Sequence, residues 1–419
     1  MGNCGPIRKM KLLFLTPRLP YPPTRGDKLH IFNLIKTLSR SHEIVLLSFI
    51  QSKRELDYVP QLQKYCVEVR CISLPVWKSV LRCVGHLWSG LPLQVAYFMT
   101  RRMHGELALM LQRHTFDVVH THLIRMAQYT APLDTLPRVL DLTDAVSLYL
   151  SRFLTTESNR LKKFMLKREL SRIRIYENIL SRFDRSLVCS AVDQQALLTA
   201  VPSARIDIVE NGVDLASPSG RKQEGTEERT LIFAGNMSYF PNHDGLRYFV
   251  GEILPLVRQR VPEVRLLIVG QKPPADFRRL NSDHITVTGY VPDMNPYYLR
   301  STVAISPVRF GAGTPYKVLE AMTLGIPVVA TAIGTEGLQA RSGEHLLVAT
   351  TTKEFADHVV SLLSDDKMRN RLSTNARELV ARLYDCTVVA AKLERVYEDV
   401  ISRRRSPGGT RSDNDALTD

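Results

Sequence analysis

Between Arg309 and Thr331 the chain places a Gly311-Ala312-Gly313 turn, a Thr314-Pro315 pair, Lys317 and Glu320 in fixed order ahead of an apolar run. Glycines in such a turn let backbone N–H groups approach an anion closely. Thr314 followed by Pro315 predicts an N-cap and the first residue of a helix, whose unpaired N–H groups and positive dipole end would face the turn. Lys317 falls in the first turn of that helix, and Glu320 lies one turn later on the same side. Positive charge beside a glycine turn suits a phosphate. A carboxylate one turn away suits two ribose hydroxyls, which would donate to its oxygens. Gly325-Ile326-Pro327 then stops the helix and launches Val328–Thr331 as a strand. Each piece alone is a common structural feature; the ordered set points to a sugar-nucleotide site.

The elements around it form two successive α/β patterns. The first opens with the apolar run from Lys11 to Thr16, a turn rich in Pro and Gly up to Gly26, and Ile31, Leu34, Ile35 and Leu38 at helical spacing. Strands are predicted over 43–49, 67–72, 117–120, 138–141, 186–189 and 206–209, with a long basic helical region over 151–183. Residues 215–229, almost without apolar side chains, read as a linker. The pattern restarts with strands over 230–235, 264–270, 284–287, 302–306, 328–331 and 346–348, and helices around 243–260, 293–300 and 315–324. Mostly parallel sheets covered on both faces are the economical fold, with a ligand between the domains at the carboxyl ends of the strands. Residues 404–419 read as a disordered tail.

Composition narrows the function class. A chain of 419 residues with 44% hydrophobic content suits two or three globular domains. Six cysteines without a Cys-x-x-Cys pair argue against a disulfide framework or a zinc site and for a reducing, cytoplasmic compartment. Neither half opens with Gly-x-Gly-x-x-Gly after its first strand, which removes support from a dinucleotide dehydrogenase. The N-terminus lacks the apolar core of a signal peptide, and no run is apolar enough to span a bilayer. The net charge of +14 sits in the first half: 30 Lys and Arg against 18 Asp and Glu up to Asp214, then 26 against 24. Basic residues crowd 152–185 and flank the Trp-containing segment 77–97, so an anionic membrane surface is the expected partner.

Pro22–Lys28, Asp117–His122, Asn211–Asp214, Phe233–Asn242 and Arg309–Thr331 together resemble glycosyltransferase family 4, from about Lys11 to Arg403, closest to the sugar transferases linked to bacterial exopolysaccharide synthesis. The resemblance implies a GT-B fold: two Rossmann-like doubly wound α/β domains facing a central cleft, spanning 1–214 and 230–385, with a final helix over 386–403 packing back on the first. It also implies retention of anomeric configuration, no metal and no cofactor. The donor would be a nucleoside diphosphate sugar, UDP or GDP foremost, and the acceptor lipid-linked or a polysaccharide.

Carried over residue by residue, Gly26 matches the loop glycine whose backbone meets the diphosphate, with Arg25 and Lys28 adding charge. His122 matches the histidine near the transferred sugar, with His120 as its alternative. Glu320 matches the glutamate that binds the ribose. His122, Lys317 and Glu320 are thus the expected catalytic residues; Gly26, Arg25, Asn236, Arg309, Gly311, Gly313, Thr314 and Glu320 would bind the donor, and Asp27, His120 and Asp144 would face the acceptor. Two departures stand out. Ala312 replaces the glutamate usual eight residues before Glu320, and Asn236 and Asn242 replace an Arg and a Lys, which leaves Lys317 and Arg309 to neutralise the diphosphate. A sugar-nucleotide epimerase of the same fold and a basic nucleic-acid-binding protein are the rivals; the first needs acid/base carboxylates around the sugar, and no base-stacking motif supports the second.

Overall fold

The computed structural model describes residues 8–215, 229–311 and 313–405. The predicted linker, apart from Leu215 and Arg229, the tail beyond Arg405 and Ala312 lie outside the described residues.

Two parallel sheets organise the chain. The first contains β1 (Lys11–Thr16), β2 (Glu43–Ile50), β3 (Glu68–Ser73), β4 (Val118–His122), β5 (Arg138–Thr143), β6 (Arg185–Val188) and β7 (Ile206–Ile208), in the order β3-β2-β1-β4-β5-β6-β7. The second contains β8 (Thr230–Ala234), β9 (Arg265–Val269), β10 (Ile285–Gly289), β11 (Val303–Ser306), β12 (Val328–Thr331) and β13 (Leu347–Ala349), in the order β10-β9-β8-β11-β12-β13. Inner strands such as β1, β4 and β8 are buried on both faces. The sequences of β1 and β8 therefore read as largely apolar runs, whereas β4 carries His120, Thr121 and His122 into the interior.

Each sheet reverses its strand order once, between β1 and β4 and between β8 and β11. Ligands of open α/β sheets sit at such switch points, beyond the carboxyl ends of the strands. The two switch points face one another here, since residues following all four strands line one shared cavity.

Several boundaries differ from expectation. The basic region over 151–183 is two helices, Val146–Thr156 and Arg160–Tyr176, broken at Glu157–Asn159, where Asn159 caps the second through Lys162 N–H. The helix expected around 243–260 is Phe240–Tyr248 and Leu254–Arg260 joined by a π-turn over Phe249–Ile253. Two helices not anticipated, Thr352–Ser364 and Asp366–Leu383, are capped by Thr351 and Asp365 and close the second domain. The final helix, Cys386–Arg405, runs two residues past the expected end. It buries Val389, Leu393, Tyr397 and Val400 in the first-domain core with Leu12, Phe14, Ile31 and Leu34.

Candidate active site

A cleft of about 1130 Å³ opens between the domains. The helix Gly26–Leu38 points its N-terminus into the cleft from the first domain, and the helix Tyr316–Thr323 does so from the second. They meet: a Cβ added to Gly26 would lie 3.5 Å from the Tyr316 ring. Unpaired N–H groups and two positive dipole ends thus converge on one spot, an arrangement that favours an anion.

The second helix begins one residue later than Thr314-Pro315 predicts. Pro315 occupies the cap position without a side-chain hydrogen bond, and Thr314 is not a cap. Its hydroxyl instead donates to the Cys189 carbonyl of the first domain at 3.2 Å, while Asn211 Nδ2 donates to the Thr314 carbonyl at 3.1 Å. Arg152 completes this clamp. Its Nη1 donates to the Gly311 carbonyl at 2.8 Å and its guanidinium forks onto Glu336 at 2.5 and 3.0 Å. The glycine turn is therefore seated against the first domain. A Cβ added to Gly313, at φ +76°, would lie 3.4 Å from Asp144 Cβ.

Lys317 and Glu320 both line the cleft. Lys317 Nζ donates to Asn242 Oδ1 at 2.5 Å and stands 4.3 Å from the centre of the Phe233 ring. Desolvation lowers its ammonium to about 7, with Glu320 pulling the other way. Glu320 is pushed up to about 7 by burial, against Tyr298 and Lys317. Tyr298, 3.4 Å from Glu320 Oε2, also bonds the Lys317 carbonyl and so braces the first turn. Both groups lack the compensation a charged, hydroxyl-bearing ligand would bring. Asn242, one of the two asparagines in basic positions, orients Lys317 rather than replacing its charge. Its Nδ2 donates to the carbonyl of Asn236, which itself lines the cleft.

Arg309 is a correction. Its guanidinium forks onto Asp244 at 2.9 and 2.6 Å, lies over Tyr248, and is absent from the cleft lining. The expectation that it neutralises the diphosphate does not hold, because the fold supplies a carboxylate 65 residues away in sequence.

The histidines are a second correction. β4 is buried on both faces, so neither His120 nor His122 reaches the cleft lining. His120 stacks on Phe14 and shares a 2.8 Å hydrogen bond with Tyr397 of the final helix, which makes it a core residue. His122 Nδ1 lies 3.2 Å from Asp141, leaving Nε2 buried without a partner among the described residues. Asp141 also meets His30 at 2.9 Å and His120 at 3.5 Å. Burial works against its charge, yet the three imidazoles hold it well below the usual carboxylate range. The cleft is lined instead by Leu123 and Thr143, just past the histidine strand and at the end of β5, both held at positive φ, 68° and 67°.

On the first-domain wall, Arg25 and Asp27 line the cleft and pair with each other, and Asp27 also takes Arg18 at 2.8 Å. Burial works against the Asp27 charge, but Arg25 and Arg18 bring it down to about 2. Lys28 is not part of the lining. Asp144 is pushed up to about 7 by burial and by Asp193, with Arg125 opposing. Arg125 itself, lining the cleft with its Nε unpartnered among the described residues, escaped the sequence reading, as did Tyr298, while Asn211 and Arg152 were read only as part of a motif and of the basic stretch. A charged residue inside the apolar run Leu123–Ala127 is the signal that would have found Arg125.

Residues 228–365 match the Glycosyl transferases group 1 family. The chain is 22% identical over 402 residues to an uncharacterized 44.6 kDa protein of the Klebsiella pneumoniae cps region, covering 91% of this chain and 98% of that one. It is 32% identical over 238 residues to the phosphatidyl-myo-inositol mannosyltransferase of Mycobacterium leprae, covering 54% of this chain and 60% of the relative. Among solved structures, Anabaena Alr3699/HepE in complex with UDP and glucose superposes at a TM-score of 0.66 with 16% identity, over 93% of this chain and all of that one. Sucrose-phosphate synthase from Thermosynechococcus elongatus does so at 0.64 with 18% identity, over 94% and 100%. The chain is a glycosyltransferase of the GT-B fold whose second domain carries the glycosyl transferases group 1 match.

Proposed function

We propose that the protein is a family 4 glycosyltransferase that moves a sugar from a nucleoside diphosphate sugar, carrying UDP or GDP, to a lipid-linked or polysaccharide acceptor. The reading further holds that it serves cell-envelope or exopolysaccharide synthesis at the cytoplasmic face of the membrane, retains anomeric configuration, and needs neither metal nor cofactor. The observation that carries it is the meeting of two helix N-termini, at Gly26 and Tyr316, beside Lys317 and Glu320. The UDP held by Anabaena Alr3699/HepE, the cps-region relative and the phosphatidyl-myo-inositol mannosyltransferases support donor, pathway and acceptor in turn.

On this reading the chemistry is a transfer with retention. The diphosphate lies between the two helix ends, with Lys317 on its charge and Arg25 at the cleft wall, while Glu320 accepts from the ribose hydroxyls. The bond from the anomeric carbon to the phosphate oxygen breaks with its electron pair leaving on the nucleoside diphosphate. The acceptor oxygen bonds to the same face of that carbon, and its proton passes to the departing phosphate oxygen. The protein supplies position and charge stabilisation. His122, buried behind Leu123 and paired with Asp141, does not touch the sugar.

Incubating the protein with UDP-, GDP-, ADP- and CMP-sugars tests this reading. One donor should raise the melting temperature and be hydrolysed slowly to free sugar and nucleoside diphosphate, in EDTA as well as in magnesium, with the initial anomer retained by NMR. A protein that hydrolyses none of them, or only with magnesium, contradicts it.

A further inference from the structure

The first domain carries an apolar face that no described residue covers. On the helix Val76–Gly85, Trp77, Val80, Leu81 and Val84 recur at helical spacing and are all exposed, Trp77 at 62%. This stripe points away from the protein, since the buried residue of the helix is Ser79. Trp88, just beyond, is 85% exposed. The helix Arg160–Tyr176 repeats the pattern: Leu161, Phe164 and Met165 are 70%, 63% and 53% exposed, while Leu170 and Ile173 face the core.

The two helices form one surface. Arg168 stacks over Trp88 at 4.9 Å, and the Arg172 guanidinium donates to the Leu87 carbonyl between them. The charge is one-sided: Arg160–Tyr176 holds seven Lys and Arg against Glu169 alone, and Val76–Gly85 has no acidic residue. Exposed tryptophans and leucines ringed by lysines suit the interface of a bilayer, where rings sit at headgroup level and basic side chains meet anionic lipid. Among the described residues no helix is long and apolar enough to cross a membrane, so this face would rest on the surface.

Glu169 ties this face to the cleft. Its carboxylate takes the N–H groups of Leu93 and Gln94 at 3.1 and 3.3 Å, and Gln94 and Glu169 both line the cavity. We propose that the face built by Trp77, Trp88, Leu161 and Phe164 with Lys162 and Lys167 docks on an anionic bilayer, and that the adjoining mouth of the cleft receives an acceptor anchored in that bilayer. The docking stands apart from the transfer reading; the consequence for the acceptor rests on it.

Flotation with phosphatidylcholine vesicles, with and without phosphatidylglycerol, at low and high salt, is the test. The wild type should float with the anionic vesicles at low salt and be released as charges are screened beyond ~8–10 Å. Trp77→Ser/Trp88→Ser and Lys162→Glu/Lys167→Glu should each cut the bound fraction by about tenfold, with melting temperature and nucleotide binding unchanged. A wild type that does not float, or variants that float equally, would overturn the proposal. So would a dimer in sedimentation that the tryptophan variant dissociates, since the face would then join two copies. Flotation intact in a protein that binds neither UDP nor GDP would refute the transfer reading and leave the docking standing.

Discussion

Replacing Lys317 with Ala removes the cation that the account places on the diphosphate. The ammonium is held by Asn242 at 2.5 Å and faces the cleft beside Glu320. A hydrogen bond to a charged group contributes ~1.5–3 kcal/mol. With ~1.4 kcal/mol per factor of ten, the loss should be roughly 10- to 150-fold in kcat/KM for the sugar nucleotide. The fold should survive, because burial already lowers this ammonium to about 7 and its removal relieves a desolvation cost. Initial rates at sub-saturating donor, with thermal melting alongside, measure both. Arg309→Ala is the control, expected to leave the rate within about twofold because its guanidinium belongs to Asp244. Full activity in Lys317→Ala, or an equal loss in Arg309→Ala, would refute the assignment.

Glu320→Gln should weaken donor binding and abolish discrimination between a ribonucleotide and its 2′-deoxy analogue, measured by competition, since the charged hydrogen bonds at stake are ~1.5–3 kcal/mol each. Affinity for the sugar nucleotide should peak near neutral pH: it falls above about 7 as Lys317 loses its proton, and below about 7 as Glu320 gains one. Calorimetry across pH should show Glu320→Gln losing only the acid limb. Arg152→Ala severs the links to Gly311 and Glu336, and should raise KM more than it lowers kcat while the radius of gyration from X-ray scattering increases. Gly270→Ala should unfold or strongly destabilise the second domain in a melting scan, because a Cβ at this φ of +145° would lie 1.8 Å from the Gly235 carbonyl oxygen.

The parts of the site legible in the sequence are those whose partners lie within one helical turn. Lys317 and Glu320 share such a turn, and the glycine turn precedes it, so their order alone predicted their convergence. Residues completed by distant chain were misread. Asp244 claims Arg309, and Cys189 claims the Thr314 hydroxyl, across separations no local pattern records. The two histidines of β4 were visible, but Asp141, opposite His122 in the parallel register, was not, because cross-strand pairing depends on the sheet order. Likewise the basic run over 151–183 read as one helical region facing an anionic membrane surface. Its break at Glu157–Asn159 and the covering of Leu170 and Ile173 show which side is exposed only once the fold is built.

Isothermal titration of UDP and of GDP into the wild type and into Lys317→Ala/Glu320→Ala tests the central claim most directly. The account predicts one nucleotide bound per chain by one of the two, with affinity lost in the double variant while the melting curve stays cooperative. Binding of neither nucleotide by the wild type, or equal binding by the double variant, would contradict it.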